Sequence, residues 1–159
     1  MPKWKNIVVH HSASGFGTAI MIHGWHKKRG WNGIGYHYVI LNGYPTADDL
    51  KSKRRDEAQI GRIECGRTLD GDEWVEHGEQ GAHALGFNKD SLGICLIHKT
   101  LPYHPKMYAS LIQLLGELIQ KYKIDPQWVV GHYELSAEKP KCPSIDMHNI
   151  RKILYELYP

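Results

Sequence analysis

The sequence predicts an α/β domain in which a β-sheet is covered by helices. Two observations carry this. Five short runs rich in β-branched, aromatic or alternating apolar residues are bounded by Gly, Asn or Asp, and three longer stretches show the apolar spacing of a helix with one buried face. These runs interleave along the chain, which is the pattern of strand and helix layers built around one core. A length of 159 residues fits a single such domain, and no internal repeat, low-complexity tract or linker divides it.

The first strand is Lys5–His10, built on Ile7-Val8-Val9. A helix follows over Thr18–Arg29, with Ile22, Trp25 and His26 on one side and Gly30 as a fitting stop. Gly35–Leu41 reads as the second strand. Thr46–Glu57 is charged and poor in apolar residues, which makes it a surface loop or a short exposed helix. Gly61–Arg67 is a polar third strand, followed by a turn at Asp70-Gly71-Asp72, and Ser91–His98 is the fourth strand. Pro105–Lys123 is the strongest helix, because Tyr108, Leu111, Ile112, Leu115, Leu118, Ile119 and Tyr122 recur at the spacing of a buried face. The fifth strand is Trp128–Gly131, and a last helix over Asp146–Leu157 presents Met147, Ile150, Ile153, Leu154 and Leu157.

Composition narrows the function classes. The hydrophobic share of 42% and charged share of 23% are those of a soluble globular protein, and no stretch approaches the length of a membrane span. A net charge of +3 suits approach to an anionic polymer, cell wall or nucleic acid, without specifying either. The first residues, Met1-Pro2-Lys3-Trp4-Lys5-Asn6, lack the apolar segment of a signal peptide, so the expected setting is a reducing cytosol with thiols free or metal-bound. Cys95 reads as a core residue and Cys65 lies in the polar strand-like run Arg62-Ile63-Glu64-Cys65-Gly66. Cys142 follows Lys139 and Lys141 in close succession, a setting expected to favour its thiolate.

Eleven histidines raise the prior for metal or proton-transfer chemistry. His10 ends the run Ile7-Val8-Val9, His132 ends Trp128-Val129-Val130-Gly131, and Cys142 lies in Lys139-Pro140-Lys141-Cys142-Pro143. Two imidazoles and a thiolate suit zinc, with a fourth position left for water. Taken singly each is a weak signal: the spacing is not that of a zinc finger, and a lone histidine at a strand end is more often a structural residue.

The accompanying residues strengthen the set. Ile7-Val8-Val9-His10-His11-Ser12-Ala13, Gly24-Trp25-His26, Gly30-Trp31, Ile34-Gly35-Tyr36-His37-Tyr38-Val39-Ile40 and Gly81-Ala82-His83-Ala84 occur in turn. Asn88, Ser91-Leu92-Gly93-Ile94-Cys95-Leu96, Val130-Gly131-His132 and Cys142-Pro143-Ser144-Ile145-Asp146 follow. In these motifs, collinear over nearly the whole chain, the sequence resembles the N-acetylmuramoyl-L-alanine amidases of the type 2 amidase family, in particular the phage T7 lysozyme-like endolysins. The resemblance implies one zinc amidase domain over residues 1–159, with a central, mostly mixed β-sheet flanked by helices and no separate wall-binding domain. It implies that His10, His132 and Cys142 bind one zinc ion. His11 is the neighbouring choice, but in an alternating strand the two side chains point opposite ways, and the resemblance selects His10.

The resemblance further implies that Tyr36 is catalytic, orienting a water or hydrogen-bonding an oxyanion, and that His83 lines the substrate groove. His37 matches as well, but alternation turns it from Tyr36 towards a structural role. One position departs: the family has a catalytic lysine two residues before the last ligand, where this chain has Pro140. Lys139 or Lys141 would have to replace it, with Lys139 preferred because Lys141 adjoins a ligand. Trp25, Trp31, Trp74 and Tyr103 are assigned no site role.

The implied activity is hydrolysis of the amide between N-acetylmuramic acid and L-alanine in peptidoglycan. The implied actor is a monomeric phage or prophage endolysin, without a nucleic-acid partner or membrane insertion, held in the host cytoplasm until a membrane pore admits it to the wall. Two alternatives stay open. Related peptidoglycan-recognition proteins include binding modules without catalysis. His10-His11-Ser12 and His98-Lys99-Thr100 also resemble the paired motifs of 2H phosphoesterases, in which two histidines act without metal.

Overall fold

Five strands build one sheet in the order β3-β2-β4-β1-β5. They are β1 (Asn6–His11), β2 (Tyr38–Ile40), β3 (Ile63–Cys65), β4 (Ser91–Leu96) and β5 (Val129–Gly131). The computed structural model describes residues 4–67, 79–100 and 102–159, so the turn expected at Asp70-Gly71-Asp72 lies outside the described residues. β1 runs parallel to both β4 and β5, β2 runs parallel to β4, and β3 closes one edge antiparallel to β2. The sheet is therefore mixed, and its parallel part requires the helical crossovers that the sequence pattern predicts.

The three long helices, α1 (Ala19–Lys28), α3 (Pro105–Tyr122) and α5 (Met147–Leu157), lie within a residue of their expected bounds. Each starts on a side-chain cap: Thr18 accepts from Met21 N–H, His104 from Lys106 N–H ahead of Pro105, and Asp146 from Asn149 N–H. Thr46–Glu57 forms the short exposed helix α2 (Ala47–Lys51), whose Thr46 cap accepts from Asp49 N–H. One helix was not expected: α4 (His132–Leu135) begins directly after β5.

Strand alternation divides the interior between two faces. Ile7, Val9, Ile40, Leu92, Ile94 and Leu96 pack against Leu111 and Leu115 of α3 and Met147, Ile150 and Leu154 of α5. The opposite face holds a smaller cluster, Val39, Cys95 and Ile97 with Ala19 and Ile22 of α1. In β1 the residues that face away from α3 and α5 are Val8 and His10, so the first candidate ligand points to the thinly covered side. This asymmetry positions the site.

Candidate metal centre

His10 leaves the end of β1 opposite Cys95 of β4 and is only 1% exposed. Its Nδ1 lies 3.1 Å from Nδ1 of His132, the first residue of α4. His132 is held from outside the site. Glu134 accepts Gly131 N–H at 2.9 Å, while Arg151 of α5 forks onto both Glu134 oxygens at 2.9 and 3.0 Å and donates to Val129 O at 3.0 Å. Cys142 returns beneath α4, where its carbonyl accepts Tyr133 N–H at 2.8 Å and its Sγ accepts His11 N–H at 3.3 Å. The ligand atoms of His10, His132 and Cys142 all lie within 4.8 Å of one another.

The donor set fits zinc. Zn–N bonds of about 2.0–2.1 Å in a tetrahedron put two nitrogens about 3.3 Å apart, and the two Nδ1 atoms stand at 3.1 Å. Two imidazoles with one thiol form a borderline-soft set of the kind zinc takes.

Electrostatics prepare the imidazoles more than the thiol. Burial, followed by the charges of His83 and His132, holds His10 well below the ordinary histidine range. Burial and then Lys139 lower His132. Both rings are therefore neutral at pH 7, the form that binds metal. Burial pushes the Cys142 thiol up, and the opposing effects of His11 N–H and Lys139 do not win. The expectation that the nearby lysines favour a thiolate is thus corrected: removal from water costs the anion more than one nearby ammonium returns.

Tyr36 sits beside this cluster, its ring centroid 5.2 Å from that of His10. It lies before β2 in a segment held by individual bonds, Arg67 N–H to Tyr36 O at 2.7 Å and Ala82 N–H to Gly35 O at 3.0 Å. Gly35 is needed there, because a Cβ would collide with the Ala82 carbonyl. Burial, followed by the charges of Cys95 and Cys142, raises the Tyr36 phenol well above its ordinary value, so it keeps its proton and acts as a donor. Lys139, and not Lys141, is among the charges that shift His10, His132 and Cys142 together.

His11 turns to the other face, as alternation requires: its Nδ1 is 3.3 Å from Nδ1 of His98, whose ring stacks on Tyr103 at 3.8 Å. The phosphoesterase alternative needs His10 and His98 in one cleft. The structure instead pairs His98 with His11 and gives the ring nitrogens of His10 to His132 and His83, so that site is not assembled. His37 is structural, accepting Gly93 N–H at Nδ1 (2.9 Å) and donating from Nε2 to Glu79 O (2.8 Å). His83, expected along the groove, is 9% exposed and packs behind His10, its Nδ1 2.9 Å from His10 Nε2 and its Nε2 3.2 Å from Ser91 O. Cys95 packs in the core as expected and adds to the upward push on the Tyr36 phenol, while the Arg151–Glu134 fork was not expected. The facing glycines Gly81 and Gly93 were the available signal for a side chain tucked inwards at His83.

Comparison with known proteins agrees with this geometry. The family profile for N-acetylmuramoyl-L-alanine amidase matches residues 1–145. The endolysin of Escherichia phage T7 is 31% identical over 130 residues, covering 77% of this chain and 67% of that protein. The endolysin of Enterobacteria phage K11 is 29% identical with the same coverage. Among solved structures, the N-acetylmuramoyl-L-alanine amidase LysC from Clostridium intestinale superposes with a TM-score of 0.70 at 26% identity, covering 96% of this chain and 87% of that one. Drosophila PGRP-LB shares the fold, with a TM-score of 0.63 at 24% identity over 90% of this chain and 76% of that one. With a profile match that spans His10, His132 and Cys142, this chain belongs to the N-acetylmuramoyl-L-alanine amidase family.

Proposed function

We propose that the protein is a zinc-dependent amidase that hydrolyses the bond between N-acetylmuramic acid and L-alanine in peptidoglycan, acting as a phage or prophage endolysin. The observation that carries this reading is the convergence of His10, His132 and Cys142 within 4.8 Å, with Tyr36 alongside. One zinc ion held by these three residues would supply a Lewis acid able to polarise the scissile carbonyl and activate water near neutral pH. Tyr36, which retains its proton, donates its O–H to the oxyanion that develops on the scissile carbonyl oxygen. Lys139 adds positive charge on the same side and takes the place of the family lysine that Pro140 replaces. The protein works as a monomer on peptidoglycan, without nucleic acid. It waits in the host cytoplasm until a membrane pore admits it to the wall. No helix among the described residues is long and apolar enough to cross a membrane.

The test is mass spectrometry of the products from purified peptidoglycan, with and without a chelator and with zinc added back. Stem peptides that begin at L-alanine, uncut glycan chains, and loss of release on chelation are expected. Pro140 at the family lysine position favours one second reading, a wall-recognition module of the kind implied by the shared fold. Tight binding to peptidoglycan without any new amine would select it.

A further inference from the structure

His83 meets the candidate metal site at His10, and its surroundings dictate where its protons sit. Its Nε2 lies 3.2 Å from the carbonyl oxygen of Ser91, which can only accept. The Ser91 hydroxyl, 3.3 Å from the same nitrogen, has its hydrogen committed to Phe87 O at 2.6 Å, so it too accepts. Nε2 of His83 therefore carries the proton, and the neutral ring presents a lone pair at Nδ1. That lone pair faces His10 Nε2 at 2.9 Å and receives its hydrogen. With the proton on Nε2, the lone pair of His10 is on Nδ1, the atom 3.1 Å from His132 Nδ1.

We infer that His83 is a positioning residue which, anchored on Ser91, fixes the tautomer and ring orientation of His10 so that Nδ1 is the nitrogen offered to metal. The inference rests on the metal reading above. The seat of the ring is narrow: a Cβ at Gly93 would lie 2.6 Å from His83 Cγ, and one at Gly81 would lie 2.7 Å from His83 Cδ2. The backbone is fixed as well, since Asn88 Oδ1 accepts the N–H of both His83 and Ala84 at 2.8 Å. A residue with both ring nitrogens engaged inside the protein has neither left for a substrate. Outer partners of this kind typically change metal affinity by about 10–100-fold when removed.

Two variants test it, read by chelator competition for zinc. His83→Leu removes the acceptor, and zinc affinity is expected to fall by about 10–100-fold. His83→Asn returns an acceptor oxygen near the Nδ1 position and is expected to recover most of it. Long-range proton–nitrogen NMR of the zinc-loaded full chain supplies a readout that packing alone does not move. The His10 proton is expected on Nε2, protected from exchange in the unmodified protein and exposed in His83→Leu. If the purified chain holds no zinc, the functional reading fails while the same spectrum still reports the tautomer. A His10 proton on Nδ1 would overturn the inference. So would a folded His83→Leu that binds zinc normally and shows only a raised KM, as a substrate contact would. Should His83→Leu misfold, the spectrum of the unmodified chain decides alone.

Discussion

Zinc affinity is expected to climb with pH because of Cys142. Zinc takes the thiolate, and burial holds the thiol above its ordinary pKa of 9.0, so at pH 6–7 nearly every empty site carries that proton. The histidines contribute no comparable release, because burial lowers both His10 and His132 from 6.5. One proton therefore leaves for each zinc bound. Apparent affinity then rises about tenfold per pH unit, or about 1.4 kcal/mol, over this window, which lies below the region near pH 7 where zinc-activated water begins to add a second proton. The measurement is chelator competition at closely spaced pH values, supported by calorimetry in buffers of different ionisation enthalpy. Cys142→Asp is the informative variant: a carboxylate is already ionised there, so binding should weaken while its pH dependence flattens. A flat profile in the unmodified protein would mean that the thiolate pre-exists or that Cys142 is not a ligand. A slope near two would mean that a histidine is protonated in the empty site. Either result refutes the reasoning.

Three further outcomes follow from the same geometry. Tyr36→Phe should keep its zinc and lose about 100–1,000-fold in kcat, the usual cost of deleting one oxyanion donor, as measured by release of new amines from peptidoglycan. Lys139→Ala should lose about 100-fold in kcat/KM while Lys141→Ala stays close to the unmodified rate, a comparison that identifies the substitute for the missing family lysine. Stability should fall on acidification. His37 is held neutral by burial, with its pKa lowered from 6.5 to about 4, so its contribution is complete above pH 6.5 and lost as pH falls through 4. Denaturant titrations at those two values should differ by about 3 kcal/mol from this residue alone.

The elements most legible in the sequence were those with local chemistry. α1, α3 and α5 announce themselves through Thr18, Pro105 and Asp146 and through their apolar spacing, so their ends fall where expected. Several strands are shorter than the apolar runs that contain them. Gly35–Leu41 shrinks to Tyr38–Ile40 because Gly35 and Tyr36 bond to Ala82 and Arg67, residues outside any strand, and a run of strand-forming residues carries no information about its neighbour. The order of the sheet was likewise absent from local patterns. In the site, alternation separated His10 from His11 correctly, and collinear motifs brought His132 and Cys142 to the same place. The inward turn of His83 is signalled only by Gly81 and Gly93, and no local pattern says that these two glycines seat the same ring. The thiol was misjudged for a similar reason: flanking lysines are visible in sequence, whereas burial is not.

The position of β1 between β4 and β5 has a consequence for maturation. His10 is synthesised before both of its partners, since His132 follows 122 residues later and Cys142 later still. Until β5 docks against β1, a nascent chain offers scattered imidazoles and thiols but no site. A metal held by these three residues would therefore be acquired after assembly of the sheet rather than guide it, because a chain that stops short of Cys142 lacks one member of the set.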